Sequence, residues 1–332
     1  MPEARYTALV CLSGGVDSTA ALLRCRTMFE DVRAVYVDTT GRGAPDEAGR
    51  SCEILGVELI EAEAIDLFNR EIKEYTRRIY SMGQTPNPCA MCNAKVKLAV
   101  PFSMLKENEF LVTGHYAGNY DGSLKRGRDP SRDQSYFLSL VAEEILDRCW
   151  FPLAESMKTD VRREVLEKGL PFITGDSQDL CFVRVNSGIP GDIVDASGNV
   201  VGRHTGLEGY TPGQRKGLGA HGERKFVTEL DTRNNRLVIG DEKYLYSESC
   251  FLNSINWLRK PAEQRFTCMI QTRYRKPVVQ ADVTLQADGR GASVEFCGPQ
   301  KAVAPGQVGA LYSADTVIGG GIITGYKGGE HA

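Results

Sequence analysis

Two groups of residues in this 332-residue chain have types and spacing that could support chemistry. The first is the run at residues 13–19, SGGVDST, which lies between a short apolar run and a segment that begins well as a helix. A strand that turns through glycines into a helix surrounds one point with backbone N–H groups, and the helix dipole points there too. Such a turn binds anions. Ser13 and Ser18 supply hydroxyl groups, and Asp17 could hold a Mg²⁺ that bridges phosphates.

A glycine turn before a capped helix, with Asp17 or Ser18 as the cap, is the simpler interpretation of this run. The run lacks the Gly-Lys-Ser/Thr of the Walker loop and the three spaced glycines of the dinucleotide fingerprint. SGGVDS instead resembles the PP-loop of ATP pyrophosphatases, which split ATP between its α and β phosphates and adenylate a substrate. The resemblance predicts an ATP site.

The second group is Cys89 and Cys92, within the segment TPNPCAMCN at residues 85–93. Asn87 can cap a helix and Pro88 suits its first position, which would place both cysteines on one helical face near the positive end. That location lowers the pKa of a thiol and favours the reactive thiolate. The alternative is half of a structural zinc site, but no second Cys-x-x-Cys or paired histidine motif follows.

A third cysteine, Cys181, stands where the polar run of residues 175–179 gives way to Leu-Cys-Phe-Val. Taken alone, these neighbours indicate a core cysteine. Other cysteines with apolar neighbours are also predicted to pack as small hydrophobes, namely Cys11, Cys25, Cys149, Cys250, Cys268 and Cys297.

The composition is that of an ordinary globular protein, with 42% hydrophobic and 25% charged residues. No apolar run approaches the roughly 20 residues that cross a bilayer, and the N-terminus has no signal pattern. We therefore expect a cytoplasmic protein without a membrane partner, in which ten cysteines do not form a disulfide framework. Because the net charge is −3, any contact with RNA must come from local basic patches.

The elements that must position these residues alternate between strand and helix in the first half of the chain. Strands are predicted at residues 32–37, 57–62 and 110–113, and helical segments at 46–55, 67–81 and 135–146. Such alternation gives a parallel sheet that binds ligands at the carboxyl ends of its strands. The turn at residues 13–19 and Thr113-Gly114-His115 would then face one pocket, with Val37 placed to touch an adenine.

The second half of the chain is rich in glycine and in short β runs separated by turn signals. We predict an α/β protein with an N-terminal parallel-sheet PP-loop domain (adenine nucleotide alpha-hydrolase-like) at residues 1–184. A small β-rich central domain at 185–246 and a C-terminal β-barrel at 247–332 follow.

Two basic stretches could meet RNA. Arg273, Arg275 and Lys276 surround Tyr274, which suits phosphate contact and base stacking, although a solvated barrel surface is the alternative. Residues 119–134, with four basic side chains, are predicted to be a polar loop that is either solvated or in contact with phosphates.

Taken in order, these segments resemble the bacterial and mitochondrial tRNA-uridine 2-sulfurtransferases, the MnmA family. The resemblance covers nearly the whole chain, through SGGVDST, TPNPCAMCN, TGHYA at 113–117, RDQSYFL at 132–138, DSQDLCF at 176–182, the glycine-rich 202–219, TRYR at 272–275, Pro305-Gly306-Gln307 and the IGGGII tail.

The resemblance implies that ATP, with Mg²⁺, adenylates O2 of the wobble uridine in tRNA, and that a persulfide sulfur then displaces AMP. The persulfide would form on Cys181, and Cys92, as the second catalytic cysteine, would release the sulfur and leave a Cys92–Cys181 disulfide. A reductant and a cysteine desulfurase or sulfur-relay protein are therefore implied partners, beside tRNA.

The resemblance also implies three sets of binding residues. Those for ATP are Cys11, Leu12, Ser13, Gly14, Gly15, Val16, Asp17, Ser18, Val37 and Gly114. Those for the target base are Asn87, Pro88 and Cys89. Those for tRNA are His115, Arg132, Asp133, Gln134, Arg273, Tyr274 and Gln307.

Two positions depart from the family pattern. Gly118 stands where the family usually has Arg, and Cys89 stands where some members have an Asp. The resemblance assigns proton transfer to that Asp, and a thiol is not its equivalent in this task.

Cys89 also opens a different mechanism. Together with Cys92 and Cys181 it could hold three irons of a [4Fe–4S] cluster whose fourth iron carries sulfide, whereas the persulfide route requires no metal at the cysteines. Two further alternatives are a PP-loop synthetase acting on a small molecule and an RNA-binding module without catalysis.

Overall fold

The computed structural model describes residues 6–120, 122–174, 188–219 and 223–328. Cys181 and the residues around it lie outside the described part of the chain, and so does its predicted pairing with Cys92.

Strands and helices alternate up to residue 174, as the sequence predicts. The elements in chain order are β1 (Thr7–Cys11), α1 (Val16–Met28), β2 (Asp31–Asp38), α2 (Asp46–Leu55), β3 (Glu58–Glu63), α3 (Ile65–Phe68), a π-helical segment (Asn69–Glu74), α4 (Tyr75–Ser81), α5 (Pro88–Cys92), a second π-helical segment (Asn93–Lys97), α6 (Ala99–Phe102), β4 (Glu109–Val112), β5 (Ala117–Tyr120), β6 (Ser123–Arg126), α7 (Ser135–Leu138), α8 (Glu143–Leu146), β7 (Cys149–Trp150) and α9 (Lys158–Glu167).

Among the described residues, strands β3-β2-β1-β4-β7 form one parallel sheet in that order. The middle of β1 is apolar and fully buried, as expected of a strand with helices on both faces. The chain runs outward from β1 in both directions, to β2 on one side and to β4 on the other. The carboxyl ends of β1 and β4 therefore flank the crevice in which such sheets bind ligands.

The central region is a small mixed β-sheet with its own hydrophobic core. Its elements are β8 (Gly191–Val194), β9 (Val200–His204), a 3₁₀ turn (Leu207–Gly209), β10 (Phe226–Asp231), β11 (Arg236–Gly240) and a second 3₁₀ turn (Glu242–Leu245). The strands are arranged β10-β11-β8-β9 in the part of the region that is described. The core contains Val227, Leu237 and Ile239.

The C-terminal strands close into an antiparallel barrel. They are β12 (Tyr246–Trp257), β13 (Arg265–Gln271), β14 (Val279–Leu285), β15 (Ala292–Lys301), β16 (Val308–Ser313) and β17 (Thr316–Gly328). Neighbours follow the order β12-β15-β14-β13-β16-β17, and β17 pairs back onto β12. Closure of this kind leaves no open sheet edge.

Three local predictions were wrong. The polar stretch at 119–134 is not simply a loop, because β5 and β6 form a hairpin that joins the barrel sheet through the pair Thr316 and Lys125. The predicted helix at 135–146 is divided into α7 and α8. Cys297 is exposed rather than packed in the core.

None of the helices in the described residues combines the length and apolar character needed to cross a membrane.

Candidate nucleotide and thiol site

A cavity of about 150 Å³ lies at the carboxyl ends of β1 and β4, where the sheet order predicts a ligand. Seven of the ten predicted ATP contacts line it: Cys11, Leu12, Ser13, Asp17, Ser18, Val37 and Gly114. The same wall contains Val35, Tyr36, Lys97, Leu98, Thr113, His115 and Gln134. The structure thus brings the SGGVDS turn, the end of β2 and the TGH segment to one cavity.

The N-terminus of α1 is suited to an anion because no side chain caps it. The N-cap residue is Gly15, so neither Asp17 nor Ser18 acts as the cap. Ser18 Oγ donates to the Gly15 carbonyl at 2.9 Å and accepts from the Ser13 amide at 3.2 Å, which fixes the turn from within. The first N–H groups of the 13-residue helix are therefore left to a ligand.

Glycine is required where the two segments that line the cavity touch. A Cβ on Gly114 would lie 2.7 Å from the backbone carbonyl of Asp17, so the segment after β4 can only cross the start of α1 with glycine at this position. Gly14 has a φ of +78°, and its carbonyl accepts from the Ile173 amide at 2.8 Å. Ile173, which precedes Cys181 by eight positions in the sequence, therefore lies beside the glycine turn.

Asp17 is held by two partners that are distant in sequence. Lys158 Nζ lies 2.6 Å from Oδ2 and 2.7 Å from Oδ1 of this carboxylate. The Tyr116 hydroxyl donates to Oδ1 at 2.9 Å. Lys158 is the first residue of α9, and its own amide donates to buried Asp129 at 3.2 Å. A fixed ammonium group thus stands at the mouth of the predicted phosphate site.

A second cation and a neutral imidazole line the other side of the cavity. Lys97 ends the π-helical segment after Cys92 and faces the cavity together with His115. Burial, aided by the Lys97 charge, lowers the pKa of His115 to about 3, so the ring is neutral at physiological pH. Its Nδ1 is 2.7 Å from Thr113 Oγ1.

The cysteine helix α5 begins as the sequence predicts. Asn87 caps it by accepting from the Ala90 amide at 3.1 Å, and Pro88 follows at the first position. Cys89 is exposed, whereas Cys92 is 5% exposed and packs with Phe68 and Ile72. Val37 packs against that same hydrophobic cluster and also lines the cavity. Its side chain therefore contacts both the cluster that contains Cys92 and the cavity.

The predicted tRNA contacts fall into different surroundings. Asp133 accepts from Arg126, from the Gly127 amide and from the Ser135 amide, and its side chain is 10% exposed. Gln134 lines the nucleotide cavity and its Oε1 accepts from the Tyr116 amide at 3.0 Å. Arg132 is half-buried between them. Asp133 therefore organises this turn.

The barrel residues among the predicted tRNA contacts also differ from one another. Tyr274 is half-buried, and its ring lies 4.4 Å from that of Phe137 between centroids, with Arg273 beside it. Gln307 is 7% exposed, and its amide is fully engaged with backbone carbonyls. Of these three residues, only Arg273 and Tyr274 are partly exposed to solvent.

Sequence reasoning missed Lys158, Tyr116 and the role of Lys97. Lys158 is 141 residues from Asp17, and no local pattern could connect the two. Lys97 was within a recognised segment, but the π-helical turn that directs it to the cavity has no periodicity that the sequence reveals.

The residues of the predicted nucleotide site fit a magnesium ion, whereas the third predicted cluster ligand, Cys181, lies outside the described residues. Asp17 offers carboxylate oxygens beside the uncapped α1, which is the kind of ligand that Mg²⁺ takes together with phosphates. Within the described ranges, no three His, Cys, Asp or Glu side chains are grouped as metal ligands. Cys89 and Cys92 lie in contrasting surroundings, one exposed and one apolar.

Comparison with known proteins follows the same three regions. Family models described as the tRNA methyl transferase HUP domain, the tRNA methyl transferase PRC-barrel domain and the aminomethyltransferase beta-barrel domain match residues 6–185, 183–241 and 247–323.

Solved structures similar to the chain include the U34-tRNA thiolase NcsA from Methanococcus maripaludis with its [4Fe-4S] cluster. It is 18% identical with a TM-score of 0.37, over 54% of this chain and 63% of that one. NH3-dependent NAD synthetase from Campylobacter jejuni is also 18% identical, with a TM-score of 0.33 over 51% of this chain and 66% of that chain. Likenesses this distant do not bear on the reaction.

Curated relatives match over almost their whole length. The tRNA-specific 2-thiouridylase MnmA of Nostoc punctiforme is 37% identical over 95% of this chain and 98% of its own. That of Campylobacter curvus is 33% identical over 95% of this chain and 99% of its own. The chain belongs to the tRNA-specific 2-thiouridylase family.

Proposed function

We propose that the protein is an ATP-dependent tRNA-uridine 2-sulfurtransferase that converts the wobble uridine of tRNA to 2-thiouridine. The observation that carries this proposal is the shared wall of the nucleotide cavity and the cysteine helix. Lys97, the last residue of the π-helical segment that follows Cys92, lines the cavity together with Leu98. Activation by ATP and attack by sulfur would then take place on one base held between them.

The first step is adenylation of uridine O2. The oxygen attacks the α-phosphate of ATP, the α–β bond breaks, and pyrophosphate leaves. The uncapped N-terminus of α1 and the Ser13 and Ser18 hydroxyls would hold the phosphates, while Lys97 and Lys158 supply positive charge to the transition state. Mg²⁺, when bound, would neutralise phosphate charge beside Asp17.

The second step replaces the activated oxygen with sulfur. The terminal sulfur of a persulfide on Cys181 attacks C2, and AMP leaves with the uridine oxygen. The Cys92 thiolate then attacks the Cys181 sulfur, which releases 2-thiouridine and leaves a Cys92–Cys181 disulfide for a reductant to open. A cysteine desulfurase or a relay protein would renew the persulfide.

The burial of Cys92 and the exposure of Cys89 favour the persulfide route over a cluster. Ligands of one [4Fe–4S] cluster have to face a common centre, whereas the persulfide route requires only that Cys92 reach the Cys181 sulfur. In this scheme Cys89 lies at the surface beside Asn87 and Pro88, where the target base would approach. Iron and sulfide analysis of anaerobically purified protein tests this choice directly.

A large cleft supports RNA as the substrate. It has a volume of about 850 Å³ and lies between the 65–81 helical region, the cysteine helix and the barrel. Arg78, Lys95 and Arg290 line it together with Glu71 and Glu74, and Glu71 pairs with Arg70. The Tyr75 hydroxyl is buried against it and has no hydrogen-bond partner among the described residues. Cations of this kind suit a phosphate backbone.

The proposal predicts that AMP and pyrophosphate form only when tRNA is present, together with 2-thiouridine that is measured by mass spectrometry of digested tRNA. Cys92→Ser and Cys181→Ser should both lose the thiolated product. Turnover of ATP that is indifferent to tRNA would instead indicate a small-molecule synthetase. Full thiolation by both variants would contradict the assignment of the cysteines.

A further inference from the structure

The barrel forms hydrogen bonds with the backbone immediately before the cysteine helix α5. Gln307 Nε2 donates to the carbonyls of Thr85 and Pro86, both at 3.0 Å. The Thr85 amide in turn donates to the Pro305 carbonyl at 2.8 Å. These bonds join positions more than 200 residues apart, and Thr85, Pro86 and Gln307 are all buried.

Prolines make this external support necessary. Residues 86 and 88 are both proline and have no N–H, so this short segment lacks the local donors that would satisfy its own carbonyls. A buried carbonyl without a donor is costly, and the side-chain amide of Gln307 supplies both missing bonds. The entry to α5 therefore depends on a residue of the barrel.

Two further contacts tie the same segment to the barrel. The Asn87 amide donates to the Tyr136 hydroxyl at 3.5 Å, and that hydroxyl donates to the Val308 carbonyl at 3.0 Å. Gly306, with a φ of +90°, brings the barrel turn so close that a Cβ would lie 2.7 Å from the Thr85 carbonyl oxygen.

We infer that Gln307 is a positioning residue, which sets the start of the cysteine helix and thereby the placement of Cys89 and Cys92. The resemblance to the family implies a tRNA contact at this position, but both hydrogens on Nε2 are engaged with carbonyls of the protein, so this group has no hydrogen left to donate to RNA. The barrel is then part of the catalytic unit as well as an RNA-binding surface. The inference rests on the proposed function for the meaning of the cysteines, but its test does not require activity.

The test is the reactivity of the thiols in protein without tRNA. Gln307→Met keeps the side-chain volume and removes both donors, and Gln300→Met is the matched control, because Gln300 also donates to a backbone carbonyl, that of Gly298 at 2.8 Å. Iodoacetamide labelling followed by peptide mass spectrometry gives the rate at each cysteine. We expect Cys92 in Gln307→Met to label about tenfold faster than in the natural protein or the control, because its helix start is loosened.

A second variant and a binding measurement separate the possible roles. Gly306→Ala disturbs the same contact from the other side, so it should also speed labelling of Cys92, and it replaces Gln307→Met if that variant does not fold. The affinity for tRNA should change less than twofold in Gln307→Met, whereas the thiolation rate falls. Unchanged labelling in both variants would overturn the inference, and a weaker tRNA affinity with unchanged labelling would assign Gln307 to RNA contact. If no variant or natural protein thiolates tRNA, the proposed function fails while the labelling result stands.

Discussion

Lys158 and Asp17 form an ion pair in which the ammonium nitrogen lies 2.6 Å from one carboxylate oxygen and 2.7 Å from the other. The lysine begins α9 and the aspartate belongs to the SGGVDS turn, so the pair connects the two sides of the phosphate site. Both side chains are partly shielded, with exposed fractions of 19% and 31%. If Asp17 held a Mg²⁺ ion, the Lys158 ammonium group would remain to supply positive charge to the phosphates.

Replacement of Lys158 should therefore slow adenylation. We expect Lys158→Met to reduce tRNA-dependent release of pyrophosphate about 100-fold, because a fixed charge near the transferred phosphate is lost. Lys158→Arg should retain more of the rate, since it keeps the charge. Lys168→Met, at the exposed C-terminal end of the same helix, is the control. Equal rates in Lys158→Met and the control would show that the ion pair is only structural.

The basic cleft should contribute to tRNA binding through counterion release. Arg78→Gln and Lys95→Gln should each weaken binding several-fold near 100 mM salt and reduce the slope of log affinity against log salt by about one. Filter binding or fluorescence anisotropy at a series of salt concentrations measures both values.

Arg163→Gln is a suitable control for the cleft variants, because this cation is exposed on α9 and paired with Asp160. If the cleft variants keep the natural salt slope but accept sulfur poorly from a desulfurase, the cleft is a docking surface for protein rather than RNA.

The half-buried imidazole of His115 should make the protein less stable in mild acid. Its pKa is lowered from 6.5 to about 3, chiefly by burial and then by the charge of Lys97. Below pH 6.5 the histidine of the unfolded chain therefore binds a proton, whereas the histidine of the folded chain stays neutral. Stability from this group is complete above pH 6.5 and is lost as the pH falls. Lowering the pH from 7.5 to 5.5 should cost about 1 kcal/mol more in the natural protein than in His115→Gln.

Urea unfolding at the two pH values measures this difference. A parallel loss in the natural protein and in His115→Gln would mean that His115 is protonated in the folded state or is not buried in solution. A larger loss in the variant would contradict the sign of the pKa shift.

Local pattern predicted the framework of the N-terminal sheet well. Helix α2 spans Asp46–Leu55 as expected, and β3 differs from its prediction by one residue at each end. The glycine turn at residues 13–19 and the Asn87 cap also follow from residue types that act on their immediate neighbours, although the structure does not use Asp17 or Ser18 as the cap of α1. Such features are determined within a few residues, which is the range that a single sequence reveals.

Long-range pairing was beyond the reach of the sequence. Residues 119–134 look like a solvated loop, but Leu124 is buried and Arg126 lies over the Tyr312 ring at 4.1 Å while pairing with Asp133. The barrel strand that receives this hairpin lies about two hundred residues later in the chain. The contacts of Lys158 with Asp17 and of Gln307 with Thr85 could not be predicted for the same reason, since each joins segments that are distant in sequence.

In the proposed reaction, ATP activates uridine O2 so that sulfur held on a cysteine can displace it. Transfer RNA carrying ¹⁸O at O2 of the wobble uridine tests this most directly, with mass spectrometry of the AMP formed in one turnover. We predict that the AMP contains the ¹⁸O and that one 2-thiouridine forms for each labelled AMP. Unlabelled AMP accompanying 2-thiouridine would contradict the account.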